Sequence, residues 1–244
     1  MRVLRILLIV VVILGALFVA ADRLAVNLAE GEAADKLRAT ENLPSTPDVS
    51  INGFPFLTQM ADRELDDVEV RIDDYEAASG GGERIRIAEL RADMKGVKFS
   101  GDYSSATAAT ATGTATIAYD ELLKTARSEP TDVAPGVTAR VVGLSDGGNG
   151  KIKVEVEATV LGTKLPRPVS VLSSVRVSDN QVEVEADALP SFGGVELAES
   201  RVRRITDFQQ TIDRLPGGIE LDKVEAAEDG VEITVKGTDV RLAG

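Results

Sequence analysis

The chain has 244 residues, 27 of them basic and 40 acidic, a net charge of −13, and it contains no histidine, cysteine or tryptophan. Without His or Cys it cannot build a Ser-His-Asp triad, a Cys-His pair, an HExxH zinc site, a thiolate metal site or a disulfide. The acidic balance argues against nucleic acid, while an apolar content of 43% and this length fit a folded chain of one large or two small domains.

Residues 1–21 form a separate object. Arg2 and Arg5 precede an uncharged run from Ile6 to Ala21. As a helix at about 1.5 Å per residue the run spans roughly 24 Å, and Val3 to Arg5, with Arg5 snorkelling, nearly close the gap to a hydrocarbon core of roughly 30 Å. Val19-Ala20-Ala21 also offers small residues for signal cleavage. A single membrane anchor and a secretory signal peptide both remain open. Either one places residues 22–244 outside the cytoplasm, membrane-anchored or secreted, because the positive charge precedes the apolar run. That exported part carries 25 basic and 40 acidic residues, a net of −15, which opposes docking on anionic lipid through a polybasic patch.

The next predicted element is a helix over Asp22 to Thr40, with Leu24, Leu28, Ala33 and Leu37 at near-helical spacing, stopped by Pro44 and Pro47. It is followed by "VSINGFPFLTQ", Val49 to Gln59. Five Phe lie outside the apolar run, and two of them flank Pro55 in Gly53-Phe54-Pro55-Phe56. Pro55 biases Phe54 toward an extended backbone and Gly53 permits a tight turn, so a stiff segment presents both rings. They serve either as a plug beneath the first helix or as the wall or mouth of a cavity.

Strands dominate from there. Val68, Val70 and Ile72 alternate with Glu69 and Arg71, and Ile85 and Ile87 with Arg84 and Arg86. Asp66-Asp67 before the first of these and Asp73-Asp74 after it are the nearest approach to a two-carboxylate hydrolase site; solvated strand ends are the ordinary reading. "SGGGE" at Ser79 to Glu83 lacks the Lys-Ser/Thr of a phosphate loop. "SSATAATATGTATIAY", Ser104 to Tyr119, reads as a strand in its latter half, with a low-complexity linker as the alternative. A short helix over Asp120 to Ser128 takes Asp120 as its N-cap. "DGGNG", Asp146 to Gly150, reads as a hairpin connection; a calcium role would need oxygen ligands from elsewhere. The clearest strand is Lys151 to Val160, with Ile152, Val154, Val156, Ala158 and Val160 on one face. Val182, Val184 and Ala186 repeat the pattern, as do Val231, Ile233 and Val235. A third helix is predicted from Glu199 to Leu215, where Val202, Ile205, Phe208, Ile212 and Leu215 form one apolar stripe ended by Pro216-Gly217-Gly218. A weak echo of helix, Pro-Gly, strand, Asp-Gly turn and strand follows each of the last two helices.

Strands with one apolar and one charged face predict an antiparallel sheet, and the helices must cover it, giving a layered α+β domain with the Phe208 stripe on the sheet. The export segment, the amphipathic helix, Ile51, Gly53, Phe54, Pro55, Phe56, Leu57 and Gln59, and the strands that follow resemble the LmeA-like phospholipid-binding family of actinobacterial cell-envelope proteins. The resemblance implies an α+β fold similar to the tubular lipid-binding domains, a strongly curved antiparallel sheet wrapped on one or two longer helices, with acyl chains between helix and sheet. It implies phospholipid as the partner, a supporting role in envelope lipid or lipoglycan metabolism, no cofactor, no metal and no catalytic motif. The candidate lipid-contacting residues are Phe54, Phe56, Leu57, Val202, Ile205, Phe208 and Ile212, all of which would otherwise be plain core. An envelope scaffold that binds a protein through its charged sheet face is the alternative function.

Overall fold

One helix, α1 (Arg2–Glu41), carries the chain from its first arginine to the edge of a sheet. The structure, a computed structural model, describes residues 2–78, 84–125, 130–178, 181–188, 203, 207–211 and 218–243. The apolar run and the amphipathic stretch predicted after it are thus one uninterrupted helix; no Pro falls between Arg2 and Glu41 to break it. None of the apolar window is buried by the rest of the protein. Past it, Asp22, Val26 and Ala34 are buried. Leu24 and Leu28, the apolar positions read from the sequence, are 65% and 73% exposed; the docked face is offset from them and includes two carboxylates.

After α1 come β1 (Asp48–Asn52), α2 (Phe56–Asp62), β2 (Glu64–Ala78), β3 (Arg84–Phe99), β4 (Ala106–Ala118) and α3 (Tyr119–Thr125). Then follow β5 (Thr131–Ala134), β6 (Val137–Gly148), β7 (Lys151–Val160), β8 (Thr163–Lys164), β9 (Val169–Ser178), β10 (Gln181–Ala186), β11 (Phe208–Thr211), β12 (Ile219–Ala226) and β13 (Gly230–Ala243). Among the described residues these strands form two antiparallel sheets. One runs β1-β2-β3-β4-β13-β12; the other runs β11-β10-β9-β7-β6-β5, with β8 beside β7. The fold is α+β, a curled antiparallel half-barrel with a long N-terminal apolar helix.

The larger core joins the sheets. Val137, Val156 and Ala158 of the second sheet share a buried cluster with Leu221, Val224 and Val231 of the first. Tyr119, at the start of α3, closes this core and donates its hydroxyl to the Ala227 carbonyl at 2.8 Å. The smaller core lies under α1, where Val26 and Phe56 cluster with Leu65, Val97, Ala106 and Ala108.

The first sheet has a crease. Asp66, Gly96, Ala109 and Asp239 lie level with one another across β2, β3, β4 and β13, and each is skipped in the pairing, while the register on either side is unchanged. One extra residue per strand at the same level acts like a shared bulge, letting the sheet bend without a slip. Inward apolar positions therefore step by three there: Leu65 to Val68 and Met94 to Val97 are all in the α1 cluster. Gly96 supplies the needed backbone at φ +60°, and a Cβ on it would sit 3.1 Å from the Ala109 Cβ.

Several sequence expectations need correction. Phe208 does not sit on a helical stripe: Phe208–Thr211 is a strand paired with β10 from Val184 to Gln181. An open sheet edge offers those four residues a ladder of backbone bonds, which outweighs the 3.6-residue periodicity. Val202, Ile205, Ile212 and Leu215 lie outside the described residues. The short helix starts at Tyr119, one residue before Asp120, whose Oδ1 accepts the Glu121 N–H at 2.9 Å within the first turn. Asp66-Asp67 and Asp73-Asp74 lie within β2 rather than outside it. The Ala/Thr-rich stretch is a strand over its whole length from Ala106 to Ala118. The "DGGNG" hairpin stands as expected, with Gly148, Asn149 and Gly150 all at positive φ.

Candidate lipid-binding site

Two acidic side chains on α1 position the helix over the sheet edge. Asp22 is fully buried, and its Oδ1 accepts the Leu57 N–H at 2.9 Å. Eight residues on, Glu30 Oε1 accepts the Ile51 N–H at 2.8 Å. A spacing of eight puts both carboxylates on one helical face, with Val26 between them. They satisfy backbone donors at the first turn of α2 and on β1 that would otherwise be left unpaired under the helix.

Between this helix and the sheet lies an apolar pocket of about 190 Å³, lined by Ala33, Val49, Ile51, Leu65, Val68, Val97, Phe99, Ala106 and Leu242. Every lining side chain is apolar. The room comes from small residues: Ala33 on the helix and Ala106 on β4, where larger aliphatics would close the gap. Inward positions continue past the crease through Val70, Ala92, Met94 and Ala111, all half-buried.

The connection from β3 to β4 forms the rim beside Phe99 and Ala106. Asp102 accepts from the hydroxyls of Ser100 at 2.6 Å and Ser104 at 2.8 Å and from the Ser104 N–H at 3.2 Å. These bonds hold its carboxyl down at about 2. The Tyr103 ring lies 5.7 Å from that of Phe99, and its hydroxyl donates to the Met60 carbonyl at 3.0 Å. The rim is thereby tied to α2.

The opposite face of the same strands is charged. Arg71 pairs with Glu89 at 2.8 Å and with Asp73 at 3.2 Å, and Arg86 pairs with Asp74. The Asp73-Asp74 carboxylates are thus partners in exposed ion pairs. Among the described residues no cluster of three or more acidic groups is placed to hold a metal ion.

The candidate residues from the motif separate. Phe56 is 5% exposed, in the cluster with Leu65, Val97 and Ala106, behind the pocket wall. Phe54 is 56% exposed and faces away, its ring 6.5 Å from that of Phe18 and 5.3 Å from the Arg23 guanidinium. Leu57 is 39% exposed. None of the three lines the pocket. Gly53 sits at φ +101°, and a Cβ there would meet Gln59 Nε2 at 2.5 Å, so only glycine fits the turn. Of the pocket residues, Val49 and Ile51 lie in the motif stretch that the sequence singled out, whereas Leu65, Val97, Phe99 and Leu242 carried no sign of a site. The usable sign was the Ala/Thr-rich strand, whose small side chains leave space against a helix.

The family model for LmeA-like phospholipid-binding proteins matches residues 20–236, nearly all of the chain. The chain belongs to the LmeA-like phospholipid-binding family. Neither the curated proteins nor the solved structures compared with it give a match. The family match begins at Ala20, two residues before the buried Asp22, so the whole of the half-barrel up to β13 and the docked part of α1 fall within it.

Proposed function

We propose that this protein is exported to the cell envelope, binds phospholipid without chemically altering it, and holds part of an acyl chain in the apolar pocket between α1 and the curled sheet. The observation that carries this reading is the pocket itself: about 190 Å³ with no polar side chain in its lining, in a member of a phospholipid-binding family. That volume equals roughly six water molecules at about 30 Å³ each. It suits a segment of one chain, with the rest of the lipid along the half-buried inward face of the sheet or at the rim. Each buried methylene contributes about 0.8 kcal/mol before ordering costs. A binding role in envelope lipid or lipoglycan metabolism needs no more than this.

Export is supported by the two arginines ahead of the apolar run. A binding rather than hydrolytic role is supported by the absence of His and Cys and by the outward ion pairs of Asp73 and Asp74. The test is solvent extraction of the purified protein followed by mass spectrometry, with uptake of a phospholipid carrying a fluorescent acyl chain. Near-stoichiometric lipid and saturable uptake are expected. A clean extract with no uptake would overturn the reading.

A further inference from the structure

The foot of α1 holds a second apolar feature, separate from the pocket. The uncharged run ends at Ala21. Phe18, within its last turn, makes an edge-to-face contact with Phe54 at 6.5 Å and 74°. One turn on, the buried Asp22 carboxylate binds the Leu57 N–H and pairs with Arg23 at 2.8 Å. Arg23 in turn lies 5.3 Å from the centre of the Phe54 ring. The Gly53–Leu57 turn is therefore fastened to α1 at the level where its apolar stretch stops, with Phe54 and Leu57 left exposed.

This geometry leaves little freedom. If Val3 to Ala21 spans the hydrocarbon core, Phe54 is carried to the boundary between hydrocarbon and headgroups, where aromatic side chains gather. Arg23, about half exposed, then sits at the level of lipid phosphate. The body of the domain, net −15, would be repelled from an anionic surface, so close approach depends on this local patch. Signal cleavage after Ala21 would remove Phe18 from the contact and make the buried Asp22 a chain terminus.

We propose that Phe54, Leu57 and Arg23, held to α1 through Phe18 and Asp22, form a docking collar that seats in the headgroup layer of the bilayer spanned by α1, and that residues 1–21 stay on the folded protein as its anchor. The occupant of this surface is the lipid bilayer that carries the helix. The collar is independent of the acyl-chain pocket and stands or falls separately from it.

The chain has no Trp, so a single introduced Trp is an unambiguous probe. Full-length Phe54→Trp is placed in nanodiscs of phosphatidylcholine and phosphatidylglycerol, with bromine either high on the acyl chain or at its end. Leu57→Trp repeats the measurement in case the first variant fails to fold. Leu161→Trp, on the 83% exposed residue between β7 and β8, is the control. The proposal expects blue-shifted emission from both collar variants, strong quenching by the high bromine, weaker quenching by the low bromine, and a water-like, unquenched control. It also expects the intact mass for protein purified from membranes. Collar emission no more quenched than that of Leu161→Trp, or a mass lacking residues 1–21, would overturn it.

Discussion

Phe54 and Phe56 stand two residues apart in the chain and point into different surroundings. Phe54 is 56% exposed against Phe18, and Phe56 is 5% exposed beneath α1. The segment that presents both rings is thus part plug and part outer surface. Phe56→Ala should cost about 3–5 kcal/mol of stability, as for other buried aromatic truncations. Phe54→Ala should cost under about 1 kcal/mol, as for an exposed site. Chemical denaturation of the two variants checks this, and equal losses would contradict the placement.

Asp22 holds the start of α2 to the helix. Asp22→Ala leaves the Leu57 N–H without its acceptor and should destabilise the protein by about 1–3 kcal/mol. Asp22→Asn keeps an oxygen acceptor and should cost less. Hydrogen exchange at the Leu57 amide should quicken in the order wild type, Asn, Ala. An unchanged rate in the Ala variant would show that the bond carries no weight.

The crease gives a sharp glycine prediction. Gly96 is at φ +60° with Ala109 Cβ only 3.1 Å from where a side chain would begin. Gly96→Val combines a backbone penalty for positive φ with that close approach, and should cost more than about 1 kcal/mol. Gly31, exposed on α1 with open space around it, should instead accept Ala with a gain of up to about 1 kcal/mol. Thermal unfolding of both variants distinguishes a required crease from a tolerated glycine.

Tyr119 sets a limit at alkaline pH. Burial pushes its phenol up to about 12, with the Asp146 carboxylate adding to the rise. A folded pKa above the unfolded value of about 10 means that the neutral form is favoured by folding. Its contribution is fully present below pH 10 and is lost as pH rises through 12. Ultraviolet titration should show a late tyrosine ionisation, near pH 12, that belongs to Tyr119. Tyr119→Phe should remove the late step and flatten stability between pH 10 and 12.

The pocket can be filled from the helix side. Ala33→Leu adds three carbons into the cavity from a half-buried helical position, where Leu is an acceptable helix former. Three displaced methylene-sized groups at about 0.8 kcal/mol each weaken acyl-chain binding by up to roughly 50-fold. Unfolding should change little. Undiminished uptake of fluorescent phospholipid by this variant would place the lipid elsewhere.

Much of this fold was legible in local pattern. Alternation of the Ile152 to Val160 kind marked a half-wet antiparallel sheet, and "DGGNG" marked its hairpin, because both signals come from neighbouring residues. The bend of the first sheet was not legible: it depends on four residues, Asp66, Gly96, Ala109 and Asp239, coming level across four strands. The helical reading of Phe208 failed because strand pairing with β10 is a tertiary bond that periodicity cannot register. The pocket was hidden for a similar reason. Its walls are ordinary strand residues, and it exists because α1 is held in place by Asp22 and Glu30, two carboxylates that look solvated in the sequence. The Gly53-Phe54-Pro55-Phe56 motif drew attention to the right neighbourhood while lining none of the pocket.

The most direct test of the central claim is photo-crosslinking with a phospholipid that carries a diazirine in one acyl chain, followed by peptide mapping. Acyl-chain binding in the pocket predicts adducts at Leu65, Val97, Phe99 and Leu242, reduced in Ala33→Leu, with none at Thr110 or Thr112 on the outer face. Adducts confined to that outer face, or none at the pocket residues, would contradict it.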